Sequence, residues 1–240
     1  MTYLLSIDTA TPQVGVALVG DAGPLAVVRI AGGRRHGELL APTISWVLAT
    51  AGVRASELTK VAVDVGPGLF TGLRVGIATA QAFSAALGVP AVGVSSLEAL
   101  AHPQRRSHRR VAAVVDARRH EVFRAIYAPA EAGLVEVVPA GVVAPTVLAE
   151  ELSDAGEPVV VVGDGALRYS ELLAGPLVDL GGPLEAHPCP AVVAELAAGR
   201  PGAAAGELRA IYLRQADVRI GWEQRGAADG QPAARGTEGG

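Results

Sequence analysis

The run from Gly66 to Gln81, GPGLFTGLRVGIATAQ, constrains this chain more than any other segment. It follows a short apolar strand, Val61 to Val65, and opens with two glycines around a proline. It then continues as a helix made almost wholly of small and apolar residues. A glycine-rich turn feeding a helix can cradle an anion on its free N–H groups. A helix that is apolar all round must be covered all round, and one lobe of one chain rarely covers both faces. Gly72, Gly76, Ala80 and Ser84 recur every four residues and make a smooth strip. Such a strip lets another helix come close and gain dispersion contacts. Leu73, Ile77 and Phe83 are left to pack on the chain's own sheet. The strip is therefore expected to meet a partner, and Gly76→Leu is expected to abolish pairing while the lobes stay folded.

With 240 residues there is room for one large domain or two small ones. Half the residues are hydrophobic but only 4% are aromatic, so the core is expected to be Val, Leu and Ala. A net charge of −4 argues against gripping nucleic acid by bulk electrostatics. Cys189 is the only cysteine, which excludes an internal disulfide and a cysteine-based zinc site. The N-terminus has no basic region before its first strand, so no signal peptide is expected. Val75 to Leu97 is free of charge and long enough to span a bilayer. Gln81, Ser84 and the break at Gly88 to Pro90 make it instead a helix, a stop and a strand. A cytoplasmic protein with no membrane segment is expected.

Strands are expected at Tyr3–Ile7, Val14–Val19 and Leu25–Ile30, with a hairpin turn at Gly20–Pro24. Leu40, Ile44, Val47, Leu48 and Ala51 fall at helical spacing, and Gly52 stops that helix. In the long helix Thr71 is the expected N-cap, and Gly88 with Pro90 ends it. A strand at Ala91–Val94 leads to a short helix capped by Ser95 or Ser96. The basic stretch His102 to Arg110 marks a boundary between lobes. Beyond it the opening pattern returns: Val111–Val115, Asp116, a polar turn, then Val122–Tyr127. A helix near Pro145–Leu152, a strand Pro158–Val162, the turn Gly163–Gly165 and a helix near Ala191–Ala198 follow. Residues 1–102 form a first lobe and 103–221 a second, whose last segment is free to pack back on the first. Residues 222–240, rich in Gly, Ala and charge, are expected to be a disordered tail whose deletion from 226 changes stability little. Two copies of strand, Asp, turn, strand point to an α/β, two-lobed actin/Hsp70-like (ASKHA) fold, with mixed sheets flanked by helices.

Lobes of that kind normally close on a nucleotide. Asp8, Thr9 and Thr11 form the first candidate phosphate turn, and Gly163 and Gly165 the second. Ala10 stands where a glycine would serve better, because its Cβ crowds a phosphate approaching the backbone. Gly66 to Gly76 is no Walker loop, since no Gly-Lys-Ser/Thr follows. Asp8, Asp64, Asp116 and Asp164 all end strands, where a carboxylate can hold Mg²⁺ through water or simply cap a turn. ATP or ADP is expected only at low affinity or at a partner interface. Cys189 and His187, two apart in a proline-held segment, point to opposite sides and make no catalytic pair. The basic loop Arg105–Arg110 lacks interleaved aromatics to stack bases, so phosphate contact is the mode left to it with any nucleic acid.

Ile7 to Thr11, His36 with Leu39 and Leu40, Gly66 to Gly76, Gly93 to Glu98, Val115 to Arg118 with Glu121 and Val122, and Tyr212 to Arg214 together resemble the TsaB (YeaZ) family. The likeness implies a part in making threonylcarbamoyladenosine at position 37 of tRNAs that read ANN codons. It implies a non-catalytic subunit that pairs with its catalytic relative TsaD, is joined by the ATPase TsaE, and forms a homodimer when alone. It also implies that the long helix and the one before it, with Leu40, Ile44 and Val47, make the interface. TsaD-like relatives carry a His-x-x-x-His pair that suits a metal. Ser96 and Leu100 stand at those places here, so neither a metal site nor peptidase activity is expected. The rival reading is an enzyme of the same fold, an ATPase or an M22-type metallopeptidase.

Overall fold

The computed structural model describes residues 2–213 apart from 32, 34 and 132. The tail, and Arg214 of the last motif, lie outside the described residues. In the first lobe β1 (Leu4–Asp8), β2 (Val14–Gly20) and β3 (Gly23–Ile30) form an antiparallel meander. Helix α1 (His36–Ala51) follows and stops at Gly52, which is left-handed at φ 66°. Then come β4 (Lys60–Gly66), α2 (Phe70–Leu87), β5 (Ala91–Ser95) and α3 (Ser96–Ala101). Strands β4 and β5 add to β1 in parallel, giving the order β3-β2-β1-β4-β5.

The second lobe repeats that plan. Its strands are β6 (Arg110–Arg118), β7 (Glu121–Ala130), β8 (Gly133–Val143), β9 (Val159–Val162) and β10 (Val178–Leu180), in the order β8-β7-β6-β9-β10. Helices α4 (Pro145–Asp154), α5 (Asp164–Arg168) and α6 (Ser170–Leu173) cover one face through Leu148, Leu152, Ala166 and Leu173. Leu97, Leu100 and Ala101 of α3 cover the other. The sequence passed over β8 because Pro139 and two glycines interrupt its pattern. An edge strand tolerates both, since half its N–H groups face away from the ladder. Thr71 is not the cap of α2: the helix begins at Phe70 and Leu69 is its extended N-cap, with no side-chain bond.

Helix α7 (Pro190–Ala198) belongs in sequence to the second lobe and in space to the first. Val193, Ala194 and Ala197 pack on Leu4, Ala62 and Val92, the sheet face opposite α1 and α2. Burying one such valine is worth about 1.5–3 kcal/mol. From there Ala203 bridges Ala91, and the Ile211 N–H donates to Val65 O, so the chain runs along the β5 edge toward α2. Among the described residues no helix is long and apolar enough to cross a membrane.

Candidate functional site

The first candidate phosphate turn is filled by the chain itself. Asp8, Thr9, Ala10 and Thr11 are buried. Thr9 Oγ1 donates to Gly72 O at 2.8 Å, the Leu69 N–H donates to Ala10 O at 2.7 Å, and His36 Nε2 lies 2.8 Å from Thr11 O. The start of α2 thus sits on the turn; the Thr9 hydroxyl and the Ala10 N–H are bonded within it, and the buried Thr11 hydroxyl has no partner among the described residues.

Beneath the turn lies a carboxyl pair. Asp8 and Asp64 are fully buried, on the neighbouring parallel strands β1 and β4. Burial, then the charge of Asp64, hold Asp8 well above the usual carboxylate range. Burial pushes Asp64 up to about 6, against the Ser96 Oγ–H and Gly66 N–H that both donate to its Oδ1. Oδ2 of Asp64, which no other described donor reaches, is the acceptor left for a proton on Asp8. A dyad sharing one proton is the arrangement two buried acids adopt.

That pair sets a pH dependence. Unfolded, both acids ionise near the ordinary value of about 4. The folded chain therefore holds the extra protons above that pH. The stabilisation is full below about pH 4 and is lost as pH rises through about 6 for Asp64. Asp64→Asn keeps an oxygen for Ser96 and Gly66 and offers an amide N–H to Asp8. Between pH 4 and 7 the wild-type chain should lose on the order of 2 kcal/mol more stability than this variant, measured by urea unfolding. Parallel pH curves would contradict the shared proton.

The second turn is spent in the same way. The Gly163 N–H donates to Glu185 O at 3.0 Å, and Asp164 Oδ1 accepts the Asp116 N–H at 2.9 Å. Gly165 packs against Val114. Residues 183–190 run as a strap from this turn to the first lobe. Gln13 donates to Asp8 and to Pro188 O, Arg29 reaches Leu184 O and His187 O, and Ser6 Oγ donates to Pro190 O at 2.5 Å. The strap ties Gly163 to the Asp8 side. Burial and then Arg29 push the His187 imidazole down, and Cys189 is half-buried as the N-cap of α7.

At the places that matter for a metal, Ser96 serves Asp64 and Leu100 is buried in the core. Among the described residues no three His, Cys, Asp or Glu side chains cluster as metal ligands would. The basic loop is largely ion-paired: Arg105 with Glu195 at 3.0 Å, Arg109 with Asp179 at 3.0 Å, Arg110 with Glu157 at 2.8 Å.

The glycine strip faces inward, which corrects the expectation. Gly72, Gly76, Ala80 and Ser84 are all buried. A Cβ on Gly72 would overlap Thr9 O, and one on Gly76 would overlap Thr9 Oγ1 and touch Val63 and Ile7. The small side chains let α2 settle on β1 and β4 of its own sheet. Leu40, Ile44 and Val47 are buried in the same core. The reason is spacing: a four-residue repeat of small residues serves a close sheet as well as a close helix.

The face that both helices leave open is the opposite one. Pro42, Ser45, Trp46 and Ala49 are exposed on α1, and Phe70, Arg74, Ala78, Ala82 and Ala85 on α2. Trp46 is 57% and Phe70 46% exposed, in a chain with two tryptophans and three phenylalanines. The Arg74 guanidinium stands 3.9 Å over the Phe70 ring, and Tyr212 lies 5.6 Å from it, centroid to centroid. Aromatics and Arg around small residues are the composition of interface centres. The signal was present in sequence as aromatics half a turn away from the apolar repeat.

Two mixed sheets on one strand plan, with a chain strap tying their Asp turns together, define a two-lobed actin-like (ASKHA) protein whose first phosphate turn is covered by its own long helix. The family model described as TsaD, tRNA N6-adenosine threonylcarbamoyltransferase, matches residues 28–161. The tRNA threonylcarbamoyladenosine biosynthesis protein TsaB of Escherichia coli is 33% identical over 172 residues, 70% of this chain and 74% of that protein. The chain belongs to the TsaB (YeaZ) family. ML0378, an uncharacterized protein of Mycobacterium leprae, is 44% identical over 131 residues, 53% of this chain and 36% of that protein's length. The solved structure of YeaZ from Pseudomonas aeruginosa superposes with a TM-score of 0.75 at 28% identity, covering 89% of this chain and 100% of that one.

Proposed function

We propose that this chain is a non-catalytic subunit in the synthesis of threonylcarbamoyladenosine at position 37 of ANN-decoding tRNAs, in the cytoplasm. It pairs with a TsaD-type catalyst through the outward face of α1 and α2, and a TsaE-type ATPase joins that pair. Alone, the same face suits a second copy of the chain. The observation that carries this reading is the exposed Trp46, Phe70 and Arg74 around Ala78, beside a first phosphate turn that the start of α2 covers. Burying such a face holds the partner in a competent arrangement and needs no chemistry from this chain. Nucleotide, where it takes part, belongs to the partners or to the joint interface. Contact with tRNA is indirect, in keeping with the paired arginines of the loop.

The test is reconstitution of threonylcarbamoyl transfer to tRNA with TsaD, TsaE and an activated threonylcarbamoyl donor. Leaving this chain out should abolish the product. Adding it alone to tRNA and donor should give none. Full activity without it would contradict the proposal.

A further inference from the structure

A second site lies away from the helix face, in a cavity of about 430 Å³ where the lobes meet. Ser95 and Glu98 line it from the β5–α3 side, Leu196 from α7, and Tyr127, Leu134 and Glu136 from the β7–β8 pair. That volume falls within the range of small-molecule sites. Tyr127 and Glu136 stand directly opposite each other across β7 and β8, so their side chains share one face of the sheet. The Tyr127 side chain is buried, with the residue only 6% exposed, yet its hydroxyl makes no hydrogen bond among the described residues. Burial, then the charges of Glu136 and Glu98, push the ionisation of that phenol upward. Glu98 is paired with Arg200, whereas Glu136 has no ion pair among the described residues. The Tyr127 hydroxyl is not sealed off, so it is free to bond a ligand in the cavity that Tyr127 lines.

We propose that this cavity binds a small organic cation carrying a primary ammonium group. An ammonium has three N–H donors and no acceptor. The cavity offers three acceptors of matching kind: the Glu136 carboxylate, Tyr127 Oη and the hydroxyl of Ser95, whose side chain is likewise unbonded among the described residues. Leu134, Leu196 and Ala101 supply apolar wall for an alkyl stem. A metal ion fits less well, because no three ligating side chains gather there among the described residues.

The test is calorimetric titration of the full chain with n-butylammonium, and with butan-1-ol as its uncharged counterpart. Saturable binding of the ammonium is expected, at least about tenfold tighter than the alcohol, the scale of a charge-assisted bond. Glu136→Gln should weaken it about tenfold and Tyr127→Phe about threefold. Thermal unfolding should be unchanged in both variants, since neither group bonds among the described residues. No saturable binding of n-butylammonium, equal binding of the alcohol, or undiminished affinity in Glu136→Gln would overturn the proposal.

Discussion

Gly76→Leu will destabilise the first lobe rather than spare it. Gly76 lies over the buried Thr9, and even a Cβ there would overlap Thr9 Oγ1. Leucine adds three more carbons to a space bounded by Val63 and Ile7, both fully buried. Either α2 lifts off β1 and β4, breaking the Thr9 to Gly72 hydrogen bond, or the turn below it is expelled. Overpacking of a core costs about 1–3 kcal/mol and occasionally more. The gain in helix propensity from replacing glycine returns only about 1 kcal/mol. A net loss of about 2 kcal/mol is expected, read as the shift of the urea midpoint. A variant as stable as the parent would mean that α2 turns this strip outward.

Ala78→Arg will do the reverse. Ala78 is exposed, two positions along from Gly76 and on the opposite side of α2. Its neighbours on that face are Arg74 and Ala82, so a new guanidinium enters open solvent in the free chain. Stability should stay within about 0.5 kcal/mol, as for a surface change. At the proposed interface it sets a second positive charge beside Arg74 and holds the partner away from the small-residue centre. The cost should be at least about 2 kcal/mol, or about thirtyfold in affinity for a TsaD partner. Trp46→Ala should act in the same direction by removing the largest exposed side chain of α1. Titration of each variant against the partner, with thermal unfolding alongside, separates a lost contact from a lost fold.

These two variants mark what the sequence discloses about the helix and what it conceals. The segment Phe70–Leu87 is legible as a helix, and its small-residue repeat as a face built for close approach. What the repeat lacks is a direction. The same spacing suits a partner helix at short range and a sheet beneath, and only the Thr9 turn decides between them. The doubled strand plan was legible because each lobe opens with a strand, an aspartate and a second strand. The strap of residues 183–190 was not, because its bonds run from backbone carbonyls of Leu184, His187, Pro188 and Pro190 to the side chains of Arg29, Gln13 and Ser6, and carbonyls leave no mark in a sequence. The dyad of Asp8 and Asp64 was half visible. Asp8 ends β1 and Asp64 lies near the end of β4, but their approach depends on β1 and β4 being neighbours in parallel.

The measurement that bears most directly on the whole account is the rate of threonylcarbamoyladenosine formation in the reconstituted system, compared between two kinds of variant. Ala78→Arg spoils the outward face and leaves the turns intact. Asp64→Asn alters the buried carboxyl pair beneath the phosphate turn and leaves the face intact. If the chain acts by docking, Ala78→Arg should lower the rate at limiting subunit by at least about tenfold, recovered in part at high concentration. Asp64→Asn should keep the parental rate at pH 7. A rate lost in Asp64→Asn and kept in Ala78→Arg would place the work of this chain in its carboxylates and contradict the account.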